Sequence, residues 1–245
     1  MEFKNKVVLI TGASRGLGAQ IAYDFAKSGA KIIINYNKSY EEAFKLKTKI
    51  EKEFGKVLLV KADIANEEDI KNMTSEIKKE YGSIDVLVNN AGIAKDNIID
   101  YKDAKEFNEV INTNLTGTYL VTKYISKLMN KKSSIINIAS DNAFYGYPES
   151  IDYDASKAGV ISLTKNFAKL LAPDIRVNCV CPGWINTEMN KELSPEQKEK
   201  ENKQILLNRF AEKEEISNVV LFLASTKSSY INSSTIVVNG GRNDW

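Results

Sequence analysis

Short runs of consecutive apolar residues recur along the chain, separated by longer stretches whose apolar positions return at helical spacing. The runs Val7–Ile10, Lys31–Asn35, Lys56–Lys61, Asp85–Asn89, Ser134–Ala139, Arg176–Val180 and Thr235–Val238 predict strands. Helices are predicted over Gly16–Ser28, Tyr40–Phe54, Glu67–Tyr81, Asp103–Met129, Asp152–Leu171 and Glu212–Ala224. Val7 to Ile10 contain no polar alternation, as a strand covered on both faces requires. Alternating strands and helices predict an α/β fold, a doubly wound parallel sheet with helices on both faces. No linker, repeat or low-complexity segment divides residues 1–245, so one domain is expected. The charged stretch Asn186 to Lys203 reads either as a helical flap or as a plain exposed helix pair.

The first strand runs into Thr11-Gly12-Ala-Ser14-Arg15-Gly16-Leu17-Gly18, a glycine-rich turn opening a helix. Gly12 suits the tight turn, and Gly16 and Gly18 allow close approach of backbone to a ligand. The helix N-terminus then aims N–H groups and a positive dipole end at the turn, which suits a phosphate. The spacing Gly-x-x-x-Gly-x-Gly differs from the commonest dinucleotide fingerprint, and the Gly-Lys-Ser/Thr ending of a nucleotide-triphosphate loop is missing. Gly12-x-Ser14-x-Gly16 also matches a nucleophile elbow. The chain has no histidine to act as that serine's base, so the elbow reading falls.

The second strand ends at Asn35, where NAD sites usually place a carboxylate for the ribose 2′-hydroxyl. Asn35, with Lys38, Ser39 and Arg15 near it, favours a 2′-phosphate and hence NADP(H) over NAD(H). Asp63, with Ile64 after it, follows the third strand and can meet an adenine edge or cap the next helix. Asn89-Asn90-Ala91-Gly92 follows the fourth strand, at the edge where open parallel sheets bind ligands.

Ser140 ends the fifth strand, and Tyr153-Asp-Ala-Ser-Lys157 opens the next helix. Four residues apart, Tyr153 and Lys157 share a helix face, and an ammonium beside a phenol favours the phenolate. Tyr153 is therefore a candidate general acid for reduction and base for oxidation. Ser140 can steady charge on a substrate oxygen, and Asn114 can support a proton path through water to Lys157.

These residues together resemble the short-chain dehydrogenase/reductase family over nearly the whole chain. The resemblance implies a Rossmann fold with strand order 3-2-1-4-5-6-7, NAD(P)(H), pro-S hydride transfer and commonly a homotetramer. It places Asn114, Ser140, Tyr153 and Lys157 on the catalytic tetrad. It assigns the nicotinamide carboxamide loop to Pro182, Gly183 and Thr187, with a backbone contact from Ile185. Within the family the chain is most similar to enzymes that reduce 3-oxoacyl groups on acyl carrier protein, through Leu207-x-Arg209-Phe210, Phe222-Leu-Ala-Ser225 and Val238-Asn-Gly-Gly241 among others. Two carrier-gripping arginines of those enzymes are missing, and Lys131, Lys132 and Lys169 offer only point charges near their places. Reductases of other alcohols or ketones (sugar, steroid, diketone) share the same tetrad. A catalytically idle NADP(H) sensor is the reading from another class, and the filled tetrad speaks against it. Phe144, Tyr145, Tyr147 and Pro148 can form an aromatic wall for a bulky substrate or simply pack the loop, and Trp245 can bury itself at a subunit interface.

With 34 basic and 32 acidic residues, the net charge of +2 gives no ground for bulk attraction to nucleic acid or membrane. Cys179 and Cys181, two apart in a predicted strand, exclude a disulfide scaffold, and no metal site is expected. The polar start Met1-Glu-Phe-Lys-Asn-Lys6 does not read as a signal peptide, and a cytoplasmic protein is expected.

Overall fold

Strand β1 (Val7–Ile10) is apolar throughout because both of its faces are covered. Val8 and Ile10 pack with Ile21 and Phe25 of helix α1 (Gly16–Lys27) and with Ile216 and Val220 of helix α9 (Lys213–Ala224). Val7 and Leu9 point the other way. They meet Ile70 and Ile77 of α3 (Glu67–Tyr81) and Val121 and Ile125 of α5 (Gly117–Ile125). Each such buried aliphatic side chain contributes about 1.5–3 kcal/mol relative to exposure.

The computed structural model describes residues 1–188 and 193–242. The remaining strands are β2 (Lys31–Tyr36), β3 (Val57–Lys61), β4 (Ile84–Asn89), β5 (Met129–Ile138), β6 (Ile175–Pro182) and β7 (Thr235–Val238). They form one parallel seven-stranded sheet in the order β3-β2-β1-β4-β5-β6-β7, as the family resemblance implies. The order reverses at β1, which has β2 on one side and β4 on the other. Their carboxyl ends flank the crevice where ligands of such sheets bind.

Two predicted elements differ. The single helix expected over 103–129 is α4 (Ala104–Ile111), a wide π turn at Asn112–Thr116, and α5. The turn follows from buried Asn114. Its Nδ2 donates to the Ile93 carbonyl at 2.9 Å and its Oδ1 accepts from the Ile93 N–H at 2.8 Å. Strand β5 begins at Met129 rather than Ser134, after a register shift against β4 between Ile84 and Val86. Cys179 and Cys181 are both buried on one face of β6, thiols 3.9 Å apart. Helix α7 (Ile151–Leu171) precedes β6, α2 (Tyr40–Glu53) joins β2 to β3, and a single turn, α6 (Asn142–Tyr145), follows β5. Within the charged stretch lies α8 (Pro195–Gln204), and the Trp245 expectation falls outside the described residues. No helix among the described residues is long and apolar enough to cross a membrane.

Candidate active site

The turn after β1 is stitched to the loop after β4. Thr11 Oγ1 accepts from the N–H groups of Asn90 and Ala91 at 3.0 and 3.1 Å, and Asn90 Nδ2 donates to the carbonyls of Thr11 and Gly12. Gly12 has φ +61°, and a Cβ there would sit 2.7 Å from the Ala91 Cα. At Gly18 a Cβ would lie 2.4 Å from Asn90 Nδ2, so no side chain fits. Arg15 starts α1 in extended conformation without a side-chain cap, and no acidic residue stands in the first turn. The N–H groups of that turn therefore face a cavity of about 1000 Å³. An uncapped, positive helix end of this kind fits the pyrophosphate of a dinucleotide.

Ser14, Arg15, Gly16 and Leu17 line that cavity beside Gly12 and Gly18, as do Asn35 and Lys38 after β2, Asp63 and Ile64 after β3, and Asn90, Ala91 and Gly92 after β4. Asn35 also holds the turn itself. Its Oδ1 accepts from the Gly12 N–H at 3.3 Å, and its Nδ2 donates to the carbonyls of Val60 and Ala62 at 3.4 and 3.1 Å. The amide is committed to bracing the turn, and Arg15, Asn37, Lys38 and Ser39 line the same wall. Asp63 does not cap α3; Asn66 does, accepting from the N–H groups of Glu68 and Asp69.

At the other end, Ser140, Tyr153 and Lys157 come together on the cavity wall with Pro182, Gly183, Ile185 and Thr187 of the loop after β6. Lys157 is buried. Its Nζ donates to the Ile138 carbonyl at 2.8 Å and lies 5.4 Å from the centre of the Tyr153 ring. Burial lowers its pKa from 10.5 to about 8. The Tyr153 phenol is raised, not lowered. Desolvation pushes it up, the hydrogen bond with Ser140 partly offsets this, and the carboxylates of Asp154, Asp141 and Asp96 push it further. The expected lowering by the ammonium does not enter; desolvation and three nearby acids set the direction. Asn114 stands behind the wall. Besides its two bonds to Ile93, its Nδ2 donates to Ser156 Oγ at 3.0 Å, and Ser156 Oγ donates to the Tyr153 carbonyl at 2.6 Å. Its side chain thus ties the π turn to α7.

A family profile described as enoyl-(acyl carrier protein) reductase matches residues 12–243. The 3-oxoacyl-[acyl-carrier-protein] reductases of Staphylococcus epidermidis and Aquifex aeolicus are each 41% identical, over 97% and 98% of this chain and 98% of theirs. The chain belongs to the short-chain dehydrogenase/reductase family. A Serratia marcescens short-chain dehydrogenase/reductase variant superposes with a TM-score of 0.94 at 29% identity, covering 98% of this chain and 99% of that one. A Burkholderia cenocepacia short chain dehydrogenase solved in complex with NADP gives 0.94 at 27% identity, over 99% of this chain and all of the other.

On this family framework, the Ser140 end of the cavity holds residues that sequence reasoning passed over. Asp96, Asp141, Trp184 and Arg242 all line the cavity. Asp141 directly follows Ser140, and Arg242 directly follows the Gly240-Gly241 pair, which were the available signals. Of the expected aromatic wall, Tyr147 lines the cavity; Tyr145 donates to the Arg242 carbonyl and Phe144 is 53% exposed.

Proposed function

We propose that this oxidoreductase uses NADP(H) to reduce a substrate carbonyl to a secondary alcohol, with 3-oxoacyl thioesters as its substrates. The observation that carries the reading is the convergence of Ser140, Tyr153 and Lys157 on the cavity that begins at the uncapped end of α1. The names of the 41% identical relatives support the substrate class. Gly12, Gly16 and Gly18 admit the dinucleotide backbone; Arg15 and Lys38 offer cations for the 2′-phosphate. Pro182, Gly183, Ile185 and Thr187 hold the nicotinamide end. The bound nicotinamide supplies the hydride. Ser140 Oγ donates a hydrogen bond to the carbonyl oxygen, and Tyr153 Oη delivers the proton as that oxygen gains charge. A phenol held high by burial stays protonated until that moment, as a general acid must. The Lys157 ammonium orients the cofactor ribose and offsets the charge left on Tyr153.

Residues 1–245 act in this reading as one cytoplasmic Rossmann domain. Exposed Phe222 on α9 and Leu170 on α7 support self-association, for which a homotetramer is proposed. A carrier protein is the proposed partner. Lys131 and Lys132 start β5 while Ser140 follows its end, so they stand about 30 Å away at the opposite rim of the same subunit.

The test is oxidation of NADPH and of NADH with acetoacetyl thioester, crotonyl thioester and a panel of ketones. Turnover of the acetoacetyl thioester with NADPH is expected. Preference for the crotonyl thioester would favour the double-bond reduction in the family profile's description. Tight NADPH binding without turnover would leave a cofactor-binding sensor.

A further inference from the structure

Cys179 and Cys181 are the only cysteines of the chain, and the chemistry proposed above uses neither. Two apart on β6, they point to the same face, both fully buried, with their Sγ atoms 3.9 Å apart. A direct bond between them is disfavoured. Alternate positions of a strand hold their Cα atoms about 6.6 Å apart, at the far end of what a disulfide spans. A single bridging atom fits better, since two bonds to sulfur of about 2.3 Å each reach up to about 4.6 Å. Thiolates select soft partners. Among the described residues no group of three or more Cys, Asp or Glu could hold a metal ion, so zinc would lack its further ligands. A trivalent organoarsenical carries its own third substituent and needs only two thiolates.

The pair packs with Ala139, Val160 and Ile161, and with Leu115 and Ala143 beside them. Ala139 precedes Ser140, Val160 stands one helical turn after Lys157, and Pro182 follows Cys181. Ala139, Ser140, Lys157 and Pro182 all line the cavity. Ala139 therefore belongs both to the cavity wall and to the packing around the thiols. Covered thiols are inert and react through local opening. An arsenic atom and its substituent, added to so closely packed a layer, must displace these neighbours.

We propose that Cys179 and Cys181 form a binding site for trivalent organoarsenicals, entered from the cavity, whose occupation disables the enzyme. Capture is a condensation. The arsenoxide gives up its oxygen, two As–S bonds form as two S–H bonds break, and both protons leave with that oxygen as one water. Nothing is oxidised or reduced. The loss of turnover rests on the reductase reading above; the binding does not.

The probe is phenylarsine oxide. Intact-mass spectrometry of the wild type should show one phenylarsenic adduct per chain, and NADPH-dependent turnover of acetoacetyl thioester should fall in step with it. After unfolding, both cysteines of the adduct should resist iodoacetamide. Dimercaptopropanol should restore turnover, because a dithiol competes for both bonds, and equimolar glutathione should not. Saturating NADPH fills the cavity and should slow the uptake. Cys179→Ala and Cys181→Ala should each keep wild-type turnover and the Kd for NADPH, and lose both adduct and inhibition. Absence of an adduct on the wild type, inhibition that persists in either variant, an adduct that leaves turnover intact, or uptake indifferent to NADPH overturns the proposal. A protein that takes up arsenic but never reduced the thioester overturns the reductase reading, and the mass measurement still decides the binding site.

Discussion

The two ends of the cavity are held together by different physics. Around the turn after β1, apolar packing and neutral hydrogen bonds do everything: Val8, Ile10 and Phe25 fill the core, while Thr11, Asn35 and Asn90 brace the backbone. At the substrate end, charge is buried. Lys102 Nζ donates to Asp152 Oδ2 at 2.7 Å, with the two side chains 3% and 0% exposed. Arg242 faces Asp141 and Glu201, and Asp154 is buried against the N–H of Tyr147. Lys102 also donates to the Lys95 carbonyl, and Asp152 Oδ1 accepts from the Tyr153 N–H, so the ion pair ties the loop after β4 to the start of α7. Buried pairs add little net stability, since desolvation opposes attraction, but removing one partner strands the other. The cofactor end is therefore tolerant in energy and strict in shape. The substrate end is the reverse, fixed by charges that must stay matched.

The largest effect tests the shared chemistry on which both ends depend. Tyr153→Phe should lower kcat by about 10²–10⁴-fold, the usual reach of a general acid, while fluorescence titration shows the same Kd for NADPH. Retained turnover would remove Tyr153 from its role.

Lys102→Met sharpens the contrast directly. It strands Asp152 and should cost about 3–5 kcal/mol in urea unfolding, and adding Asp152→Asn should recover most of that loss. A cost near zero for the single variant would mean that the substrate end does not depend on matched charge.

Asn35→Asp probes the neutral end. A carboxylate there would turn an oxygen toward the carbonyls of Val60 and Ala62 in place of the amide donor. A loss of about 1–3 kcal/mol in stability is expected, with NADPH and NADH weakened alike. A clean switch to NADH in paired Kd measurements would return the 2′-group to position 35.

The last effect depends on pH. The Asp154 carboxyl rises from 3.8 to about 6 on folding, mainly through desolvation. Between those values the folded protein keeps a proton that the unfolded chain has lost, so stability falls as pH climbs through the window. Asp154→Asn can still accept from the Tyr147 N–H and carries no charge. Its advantage over wild type should be absent below about pH 4, grow through the window and level off above about pH 6. A constant offset across thermal unfolding at several pH values would show that Asp154 does not titrate there.

Elements whose cause lies in their own residues were legible in the sequence. β1 showed as an apolar run because both its faces are covered, and its predicted and observed limits coincide. The turn from Gly12 to Gly18 was legible because only glycine meets its contacts. The pairing of Tyr153 with Lys157 followed from helix spacing alone. The π turn at Asn114 was not legible, since helical periodicity runs through it and its partner Ile93 lies on another loop. The bracing role of Asn35 was hidden for the same reason, its bonds reaching Gly12, Val60 and Ala62 on separate segments.

The sequence by itself thus determined the strand and helix order, the glycine-rich turn and the candidate acid, because each is written in a local period or a residue's own sterics. Tertiary structure alone decided which charges meet. Asp141 and Arg242 are 101 residues apart in the chain, and only the sheet order, the turn after β5 and the loop after β6 bring them into one place out of water.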